Sequence, residues 1–549
     1  MFSRTAVHSS LLVLVTAGLV ACGGSGDDDE PGTVQVGDTI VLTSSDRLLS
    51  FNRAAPATQV GAIAVTGLAS GETLLGIDMR PADGALYALA STGTLYTLDA
   101  ATGKATRKST LVALAGDSAP YAGLAGTQFA VDFNPAADRL RVVSNTGQNL
   151  RINVDTGETT TDGTITPTST SVTAAAYTNS FAGTVATQLY GLDVAAGRLV
   201  LQDPPNDGVV NAGVPLGVVA DAANGFDIDA RNNIGYAALR VGGSTGLYTI
   251  DLAATGNAAT RVAEIPGGEA VKGLALNMPA KLQTLALTAD NRLVSFDPAA
   301  PNTLTANTAI TGLQAGDTVL GVDFRPKDGL LYALATGGKL YTIDPATGAA
   351  TLRATLAADP ADATAPYAGL TAARYTVDFN PVADRLRAIG NDGQNLRIVV
   401  EAITTGGTTV PAGRTITDGV VNRAGVPASV IGSAYTNSFA GATATTLFNL
   451  DEASDVLTQQ VPPNDGTQVN VGALGLDIGS AAGFDIAGGG NGVALAALRS
   501  GAAGPFSLYA VALPTGAATL YRNTSGNAAQ SLIGGAGGPT NLIDLAVRF

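Results

Sequence analysis

The side chains that most often carry catalysis are scarce in this chain. The sequence contains one histidine, His8, and one cysteine, Cys22, both close to the N-terminus. Ser-His-Asp triads and Cys-His pairs need an imidazole as base, and structural zinc sites are built largely from cysteine and histidine. We therefore expect no such triad, no metal site and no cofactor. Any chemistry would rest on carboxylates, amides, hydroxyls, lysines and arginines.

Carboxylates are the groups that could still catalyse a reaction. A glycosidase-like hydrolase needs two of them at a fixed distance, one as acid and one as base or nucleophile. No pair in the sequence has a spacing that argues for this arrangement. Asp227 and Asp229, followed by Asn232 and Asn233, resemble an oxygen-rich Ca²⁺ loop, but the later copy at 485–488 (Asp-Ile-Ala-Gly) lacks the second acid. A calcium site shared by both copies is not expected.

Two motifs combine amides with aromatic or acidic groups, and each occurs twice. Residues 177–181 and 435–439 read Tyr-Thr-Asn-Ser-Phe, whereas residues 204–208 and 462–466 read Pro-Pro-Asn-Asp-Gly. The first places a ring beside an amide and is the better candidate for ligand contact. The second is a rigid turn whose polar tip could face a partner, although turn formation alone would also explain it. The candidate ligand-binding residues are Tyr177, Asn179, Asn206, Asp207, Tyr435, Asn437, Asn464 and Asp465.

Two further repeated motifs favour structural roles. Residues 132–141 and 378–387 share Asp-Phe-Asn-Pro and a following Asp-Arg-Leu-Arg, and residues 147–152 and 393–398 share Gly-Gln-Asn-Leu-Arg-Ile. An Asp-Arg cluster could bind an anion, and the amides could face a ligand. A turn in which aspartate caps backbone amides and arginine stabilises a neighbouring strand explains the first motif equally well. We favour the structural interpretation for both.

Residues 1–21 have the pattern of an export signal. Arg4 precedes an apolar run at 11–20, which is too short to span a membrane. The run ends in Leu-Val-Ala-Cys at 19–22, which resembles the lipobox of bacterial lipoproteins. In that class the chain is cut before the cysteine, which is then lipidated. The alternative is a plain signal peptide cut near Ala21.

The lipobox resemblance implies a membrane-tethered protein. Cys22 would carry the lipid anchor, and the protein would lie in the bacterial cell envelope. Gly23 after the cysteine favours the outer membrane in that class, with the periplasmic or surface side left open. Residues 22–37 are predicted to form an acidic flexible tether. The formal net charge of −15 disfavours binding to nucleic acid and to anionic head groups.

Most of the chain consists of two tandem copies of one sequence. Residues 76–106 and 321–351 are identical at 21 of 31 positions, at an offset of 245. Within each copy, short strand patterns such as Leu-Tyr-Thr-Leu-Asp at 95–99 recur, ten times in total, at spacings of 39 to 61 residues. Residues 320–351 read as four strands of about five residues joined by tight turns. Four-stranded units of this length predict an all-β fold of the β-propeller type, built from about ten modules.

Two strands without a module of their own suggest how the modules close. Residues 271–277 end the first copy, and residues 541–549 end the second. Each could complete the first sheet of its own copy, which gives two tandem five-bladed units over 38–278 and 279–549. The alternative is a single ten-bladed ring. A closed arrangement would hide the sheet edges in either case.

The set of repeated motifs resembles a known family. Both copies carry Arg-Pro-x-Asp-Gly-x-Leu-Tyr-Ala-Leu, then the motifs at 132–141 and 378–387, then Ala-Tyr-Thr-Asn-Ser-Phe-Ala-Gly and Pro-Pro-Asn-Asp-Gly. This series is similar to the DUF4394 family of bacterial exported proteins, in two tandem copies. The resemblance implies a propeller-like β fold and brings no established activity.

These observations favour a binding role over catalysis. We expect an envelope-tethered, non-catalytic binding or interaction module whose partner is a protein, a glycan or a small molecule. The absence of tryptophan counts mildly against sugar stacking. A carboxylate-dependent hydrolase or lyase in a propeller channel is one alternative, and it predicts clustered acids with raised pKa values. A purely structural envelope protein is the other.

Overall fold

Sheets of four or five strands make up both halves of the molecule, and they are antiparallel except for one short parallel pair in the five-stranded sheet of each half. The computed structural model describes residues 32–549, apart from 222–223, 278–280, 406, 425, 480–481, 491, 502 and 522–526. The predicted signal peptide, Cys22 and most of the predicted tether therefore lie outside the described residues. Within the described part, each half contains five such sheets, and the third sheet of each half has five strands. The all-β, four-stranded pattern predicted from the sequence is confirmed.

The strands of the first half run in chain order from β1 to β21. They are β1 (Thr39–Thr43), β2 (Arg47–Phe51), β3 (Gln59–Ala64), β4 (Leu74–Met79), β5 (Leu86–Ala90), β6 (Thr94–Leu98), β7 (Ala105–Thr110), β8 (Val112–Ala113), β9 (Phe129–Asn134), β10 (Arg139–Ser144), β11 (Asn149–Ile152), β12 (Glu158–Thr161), β13 (Val172–Tyr177), β14 (Leu189–Asp193), β15 (Arg198–Gln202), β16 (Val214–Pro215), β17 (Asn224–Asp229), β18 (Ile234–Val241), β19 (Ser244–Ile250), β20 (Ala259–Glu264) and β21 (Val271–Leu276).

The strands of the second half run from β22 to β46. They are β22 (Gln283–Thr288), β23 (Arg292–Phe296), β24 (Leu304–Ala309), β25 (Val319–Phe324), β26 (Leu331–Ala335), β27 (Lys339–Ile343), β28 (Ala350–Thr355), β29 (Ala357–Ala358), β30 (Tyr375–Asn380), β31 (Arg385–Gly390), β32 (Asn395–Ile398), β33 (Ile403–Thr405), β34 (Thr408–Val410), β35 (Arg414–Thr417), β36 (Asn422–Arg423), β37 (Val426–Pro427), β38 (Val430–Tyr435), β39 (Leu447–Asp451), β40 (Val456–Gln460), β41 (Gln468–Ala473), β42 (Gly483–Ala487), β43 (Val493–Leu498), β44 (Ser507–Val511), β45 (Ala518–Leu520) and β46 (Leu542–Arg548).

Helical structure is limited to short 3₁₀ turns in the described residues. They lie at Pro205–Asp207, Thr336–Gly338, Pro463–Asp465, Ala528–Ser531 and Gly535–Gly537. None of the described helices has the length and the apolar character needed to cross a membrane.

The last strand of each half pairs with the first strand of the same half. β21 pairs antiparallel with β1, and β46 pairs antiparallel with β22. The strand orders β21-β1-β2-β3 and β46-β22-β23-β24 result. A single ring through all ten modules would instead require β46 to pair with β1. The first sheet of each half is thus assembled from both ends of that half.

One edge strand from each sheet contributes to a central group in each half. These central strands are β4, β9, β13, β17 and β21 in the first half, and β25, β30, β38, β42 and β46 in the second. Each central strand contacts the next, and β21 contacts β4 just as β46 contacts β25. The approach is close, because a Cβ on Gly225 would lie 2.4 Å from the backbone nitrogen of Leu274.

The core consists of apolar layers between consecutive sheets. In the first half, Ile40 and Leu42 of the first sheet pack with Leu74 and Ile77 of the second. The fifth sheet packs back onto the first through a separate cluster that includes Leu247. Strands such as β5, with the sequence Leu-Tyr-Ala-Leu-Ala, are buried along their whole length, since they have a neighbouring sheet on each face. Burial of this apolar area is the main stabilising contribution.

The two halves also touch each other. Residues 34–549 form one unit, and Phe181 of the first half meets Phe549 of the second edge to face, with ring centroids 5.1 Å apart. The Tyr521 hydroxyl donates a hydrogen bond to the carbonyl of Gly183. An apolar cluster at this junction combines Phe181 and Ala230 with residues of the second half.

Candidate functional site

Three buried aspartates meet at the centre of each half. In the first half they are Asp78 on β4, Asp132 on β9 and Asp227 on β17. In the second half they are Asp323, Asp378 and Asp485, on β25, β30 and β42. In each trio, one carboxylate oxygen from every member lies within 4.8 Å of the others. We call these groups the first and second aspartate clusters.

The aspartates are placed to satisfy backbone groups of the central strands. Each central strand is a sheet edge, so its outer N–H groups have no strand partner. In the first half, five such N–H groups donate to the three carboxylates at 2.6–2.9 Å, those of Met79, Phe133, Tyr177, Ile228 and Leu276. The cluster therefore links neighbouring sheets through hydrogen bonds from backbone N–H groups to carboxyl oxygens.

The second cluster makes the same links. The backbone N–H groups of Phe379, Tyr435, Ile486 and Val547 donate to its carboxylates at 2.5–2.9 Å. One further acid, Asp544 on β46, accepts from the Val322 N–H at 2.9 Å. By strand register, Asp544 stands where the first half has Gly273.

Burial raises the pKa values of both clusters. For Asp78 and Asp132 the pKa lies well above the usual value, first because of desolvation and then because of the neighbouring carboxylates. Burial raises the pKa of Asp227 to about 6, and the N–H donors of Leu276 and Ile228 limit the increase. Burial likewise raises the pKa of Asp485 to about 6. Protons are thus retained in each cluster far above the pH at which an exposed aspartate ionises.

The clusters have the composition of a hard-cation site or of an acid–base pair, but their surroundings favour a structural role. Carboxylate oxygens at this spacing are ligands that Ca²⁺ accepts. Clustered acids with raised pKa values are also what the carboxylate-enzyme alternative predicts. The oxygens, however, already accept backbone N–H groups, and every member is buried. Asp227 also lines a surface cavity.

In the first half, two of the predicted ligand-binding residues, Tyr177 and Asn206, are hydrogen-bonded to a buried arginine. Arg141 is 1% exposed, and its guanidinium forms an ion pair with Asp162 at 2.7 Å. Its Nε donates to the Tyr177 hydroxyl at 3.2 Å, and its Nη2 donates to Asn206 Oδ1 at 2.7 Å. Asn149 accepts a fourth bond at 2.8 Å. Tyr177 and Asn206 therefore orient Arg141 and hold the Pro-Pro-Asn-Asp-Gly loop against the third sheet.

The second half repeats this network. Arg387 donates to the Tyr435 hydroxyl at 3.2 Å and to Asn464 Oδ1 at 2.8 Å, and it pairs with Asp418 at 2.6 Å. The adjacent acids of the loops, Asp207 and Asp465, are exposed. They end the 3₁₀ turns at Pro205–Asp207 and Pro463–Asp465.

Asn179 and Asn437, the remaining predicted residues, line one groove between the halves. This groove of about 940 Å³ is formed mainly by the first half, with Asn437, Thr443 and Gly490 from the second. Asn179 accepts a hydrogen bond from the Asn233 amide at 2.9 Å, and its backbone N–H donates to Asn233 Oδ1 at 3.0 Å. We call it the inter-half groove. The structure thus brings Asn179 and Asn437 together, away from the other predicted residues.

The walls of the inter-half groove are polar but nearly uncharged. Asp251 is the charged side chain among its described lining residues. Apolar side chains such as Ile234, Ile250 and Leu252 share the walls with amides and hydroxyls, which are those of Thr178, Asn179, Thr187, Gln188, Tyr190, Asn232, Asn233, Thr249, Thr260, Asn437 and Thr443. Asn179 and Asn437 have φ values of 53° and 57°, which asparagine tolerates better than most residues. Their backbone conformation is therefore a second reason for finding asparagine at these positions.

The comparison with protein families settles the relationship of the chain. The sequence model described as "Domain of unknown function (DUF4394)" matches residues 47–275 and again residues 292–533. The chain belongs to this family. Two tandem DUF4394 domains therefore occupy most of its length, as the repeated motifs predict.

Comparisons with individual proteins add little for this DUF4394 protein. No curated protein sequence matches the chain. Among solved structures, the β-propeller domain of Cps50 (Swd1) from Myceliophteria thermophila is similar over 59% of this chain and 95% of that chain. The identity is 12% and the TM-score is 0.23, so this similarity carries no argument about the chain.

Neither aspartate cluster was predicted from the sequence. The signal was an acid inside an otherwise apolar strand, at the same place in 76–79, 130–133 and 225–228 (Gly-Ile-Asp-Met, Ala-Val-Asp-Phe, Gly-Phe-Asp-Ile). An acid flanked by buried apolar residues must find hydrogen-bond donors. Recognising that these segments are edge strands around one centre would have identified the donors.

Proposed function

We propose that this DUF4394 protein is a non-catalytic binding module that takes a polyhydroxylated ligand, such as an oligosaccharide, in the inter-half groove. The observation that carries the proposal is the groove itself, which combines a volume of about 940 Å³ with amide and hydroxyl walls. Ligand pockets typically measure 300–1,000 Å³ and often lie between structural units. Neutral amides and hydroxyls match the alternating donors and acceptors of sugar hydroxyls.

The architecture we propose is two five-bladed β-propellers in tandem. Three observations support it: the pairing of β21 with β1 and of β46 with β22, the contacts among the five central strands of each half, and the apolar cluster between the fifth and first sheets. Under this arrangement the inter-half groove lies where two rigid rings meet. A rigid site reduces the ordering cost of binding.

Tyr190 supplies the apolar part of the proposed site. Its ring lines the groove and packs at its inner edge against the apolar cluster of the fourth and fifth sheets. Burial raises the pKa of the Tyr190 hydroxyl, which therefore stays protonated and able to donate. A half-buried tyrosine can stack on a sugar face without tryptophan. The corresponding position in the second half, by strand register, is Phe448.

The proposed location is the bacterial cell envelope, with a lipid anchor at Cys22. The Leu-Val-Ala-Cys sequence at 19–22 and the acidic segment that follows it support this proposal. Multiple acyl chains on one cysteine would give stable tethering. A module held at an outer membrane would meet glycans, proteins and small molecules, of which the groove chemistry favours glycans.

Calorimetric titration of the purified protein with a panel of neutral oligosaccharides tests the proposal. Gln188→Ala should weaken binding about fivefold to tenfold, because it removes one hydrogen bond of about 1 kcal/mol. Tyr190→Phe should have a smaller effect, since it keeps the ring. Thr446→Ala is the matched control, because Thr446 occupies the position of Gln188 in the second half, outside the groove lining. Equal weakening by the control, or no oligosaccharide binding, would contradict the proposal.

A carboxylate-dependent hydrolase or lyase is the second candidate. The observation in its favour is Asp227, whose pKa is raised to about 6 and which lines a cavity of about 310 Å³. A hydrolase would lose activity on neutral glycosides or esters in Asp227→Asn, whereas the binding module would keep its groove affinity. Measuring both properties on the same variant distinguishes the two candidates.

A further inference from the structure

The two halves differ where the central strands end. In the first half this end opens into the cavity of about 310 Å³, which we call the first outlet. Its described lining includes the carboxylates of Asp83, Asp227 and Asp229 and two cationic side chains, Arg80 and Lys281. The apolar part is supplied by residues such as Met79 and Leu276.

In the second half an arginine fills the corresponding position. Arg548, which follows β46 residue Val547, stacks its guanidinium over the Phe324 ring at 4.2 Å from the centroid. Its Nε donates to the Gln283 side chain at 2.9 Å, and its Nη1 donates to the carbonyl of Gly329. The second outlet is thus occupied by a cation from its own chain.

Of the three groups that hold Arg548, the first half keeps the glycine carbonyl, whereas Met79 replaces the Phe324 ring and Asp38 replaces Gln283. Gly84 lines the first outlet and corresponds to Gly329 at the repeat offset of 245, as Met79 corresponds to Phe324. By register against β17 and β42, Asn277 takes the place of Arg548. The Asn277 amide donates instead to the carbonyl of Gly37 at 3.0 Å. The space that a guanidinium fills in one half is therefore open in the other.

Three carboxylates and two cationic side chains line the first outlet, and one of the carboxylates, that of Asp229, is paired with Arg53 at 2.7 Å. Arg80 is already engaged, since it donates to Asp138 at 2.7 and 2.8 Å, to Asp155 at 2.9 Å and to the lining residue Asp83 at 3.1 Å. Asp229 has no counterpart in the second outlet, where Ala487 stands at its position. Compared with the second outlet, the first outlet lacks the arginine side chain. It has an open cavity and one more carboxylate, that of Asp229. A carbonyl and carboxylates around a small cavity favour a hydrogen-bonding cation.

We propose that the first outlet binds the guanidinium or ammonium group of a small cationic ligand, in the position that Arg548 occupies in the second half. This site is separate from the inter-half groove and does not depend on the glycan proposal. The lone exposed cation of the lining, Lys281, opposes such a ligand. Its removal strengthens binding of a cation and weakens binding of an anion, which distinguishes the two ligand charges.

Isothermal titration of the full protein with agmatine, arginine and citrulline tests this site. Citrulline has nearly the shape of arginine without its charge, so it should bind at least about tenfold more weakly. Agmatine should bind with one site per chain, since the second outlet is filled. The tripeptide Gly-Arg-Gly distinguishes a free ligand from an arginine side chain of a protein: tighter binding of the tripeptide than of agmatine favours the protein source, and the reverse favours a small molecule.

Three variants locate the site. Asn277→Arg copies Arg548 and should abolish agmatine binding, whereas Lys281→Ala should strengthen it about threefold by removing a like charge. Arg548→Ala opens the second outlet, so agmatine should then bind at two sites and raise the melting temperature of this variant more than that of the unmodified protein. Equal affinity for arginine and citrulline, or weaker agmatine binding in Lys281→Ala, would overturn the proposal. If Asn277→Arg does not fold, Lys281→Ala still decides it.

Discussion

The two halves share one framework and differ at the surfaces that the framework supports. Asp78, Asp132 and Asp227 have direct counterparts in the second cluster, and Arg141 has a counterpart in Arg387 with the same set of partners. The aspartate contacts recur because each half must satisfy the free edges of its central strands, and the arginine contacts recur because each half must hold its Pro-Pro-Asn-Asp-Gly loop against the third sheet. Residues that make identical contacts in both halves are therefore explained by folding alone.

The differences are concentrated around the outlets. Arg53 pairs with Asp229 at 2.7 Å and stacks over Tyr236 in the first half. At the corresponding places the second half has Pro298, Ala487 and Leu495. The fold thus accepts either a buried ion pair or apolar packing at one location. Polar residues that the fold does not require are the better candidates for function, which is why the proposals rest on the groove and the first outlet.

The largest expected effect tests the shared framework. Arg141→Ala and Arg387→Ala should each destabilise the protein by about 3–5 kcal/mol, because each replaces a buried side chain by a cavity and removes the donor of four hydrogen bonds, while Asp162 or Asp418 keeps only its second arginine partner, Arg151 or Arg397. Urea unfolding measures the free energy of each variant. Arg139→Ala, which removes an arginine bonded to nearby backbone carbonyls, is the matched control and should cost under about 0.5 kcal/mol. A large loss of stability in only one of the two variants would show that the arginine networks of the two halves are not equivalent.

The aspartate clusters predict an unusual dependence of stability on pH. A carboxyl whose folded pKa is about 6 and whose unfolded value is 3.8 binds its proton more tightly in the folded state. The free energy of unfolding therefore increases as the pH falls through 6 and levels off below 3.8. Asp227 and Asp485 should each contribute about 3 kcal/mol across that window, roughly half of it by pH 5.

Asp155 affects the free energy of unfolding in the opposite direction and at lower pH. Arg80 and Lys108 lower its pKa to about 2, so its contribution is present above 3.8 and is lost as the pH falls through 2. Urea unfolding at pH 7, 6 and 5 separates the two effects. Stability should rise over this range, and the rise should be smaller in Asp227→Asn. Stability that is constant or falls from pH 7 to 5 would show that the clusters do not hold protons in this way.

A third prediction concerns the ion pair that one half has and the other lacks. Asp229→Ala should cost about 2 kcal/mol, because the largely buried Arg53 loses its closest carboxylate. The double variant Arg53→Leu/Asp229→Ala imitates the apolar second half and should recover most of that loss. Thermal and urea unfolding measure both variants. A double variant less stable than Asp229→Ala would show that the first half cannot adopt the packing of the second.

The smallest expected effect lies at the opposite end of the central strands. Lys272 pairs with Asp46 in the first half, whereas the second half has Ile543 at the corresponding position. Lys272→Ile should change stability by under about 1 kcal/mol, because the pair is partly exposed. Urea unfolding checks the value, and a larger loss would mean that this lysine has a structural role in the first half.

Sequence alone predicted the repeats better than the site. The period of two in segments such as 95–99 and the turn at Asp328-Gly329 identified the sheets, because strand patterning and turn chemistry are local. The sequence could not show that Tyr177 and Asn206 would share Arg141, since this contact joins residues 36 and 65 positions apart. Asn179 lines the inter-half groove, but the sequence could not show this, because the groove depends on how the halves meet.

Hydrogen–deuterium exchange on the full protein, with and without the best-binding neutral oligosaccharide, tests the central claim most directly. The account predicts protection in the segments of the inter-half groove, 186–190 and 232–234, and no change at 444–448, which corresponds to the first of these in the second half. Equal protection at 186–190 and 444–448, or protection confined to other surfaces, would contradict the assignment of binding to the groove.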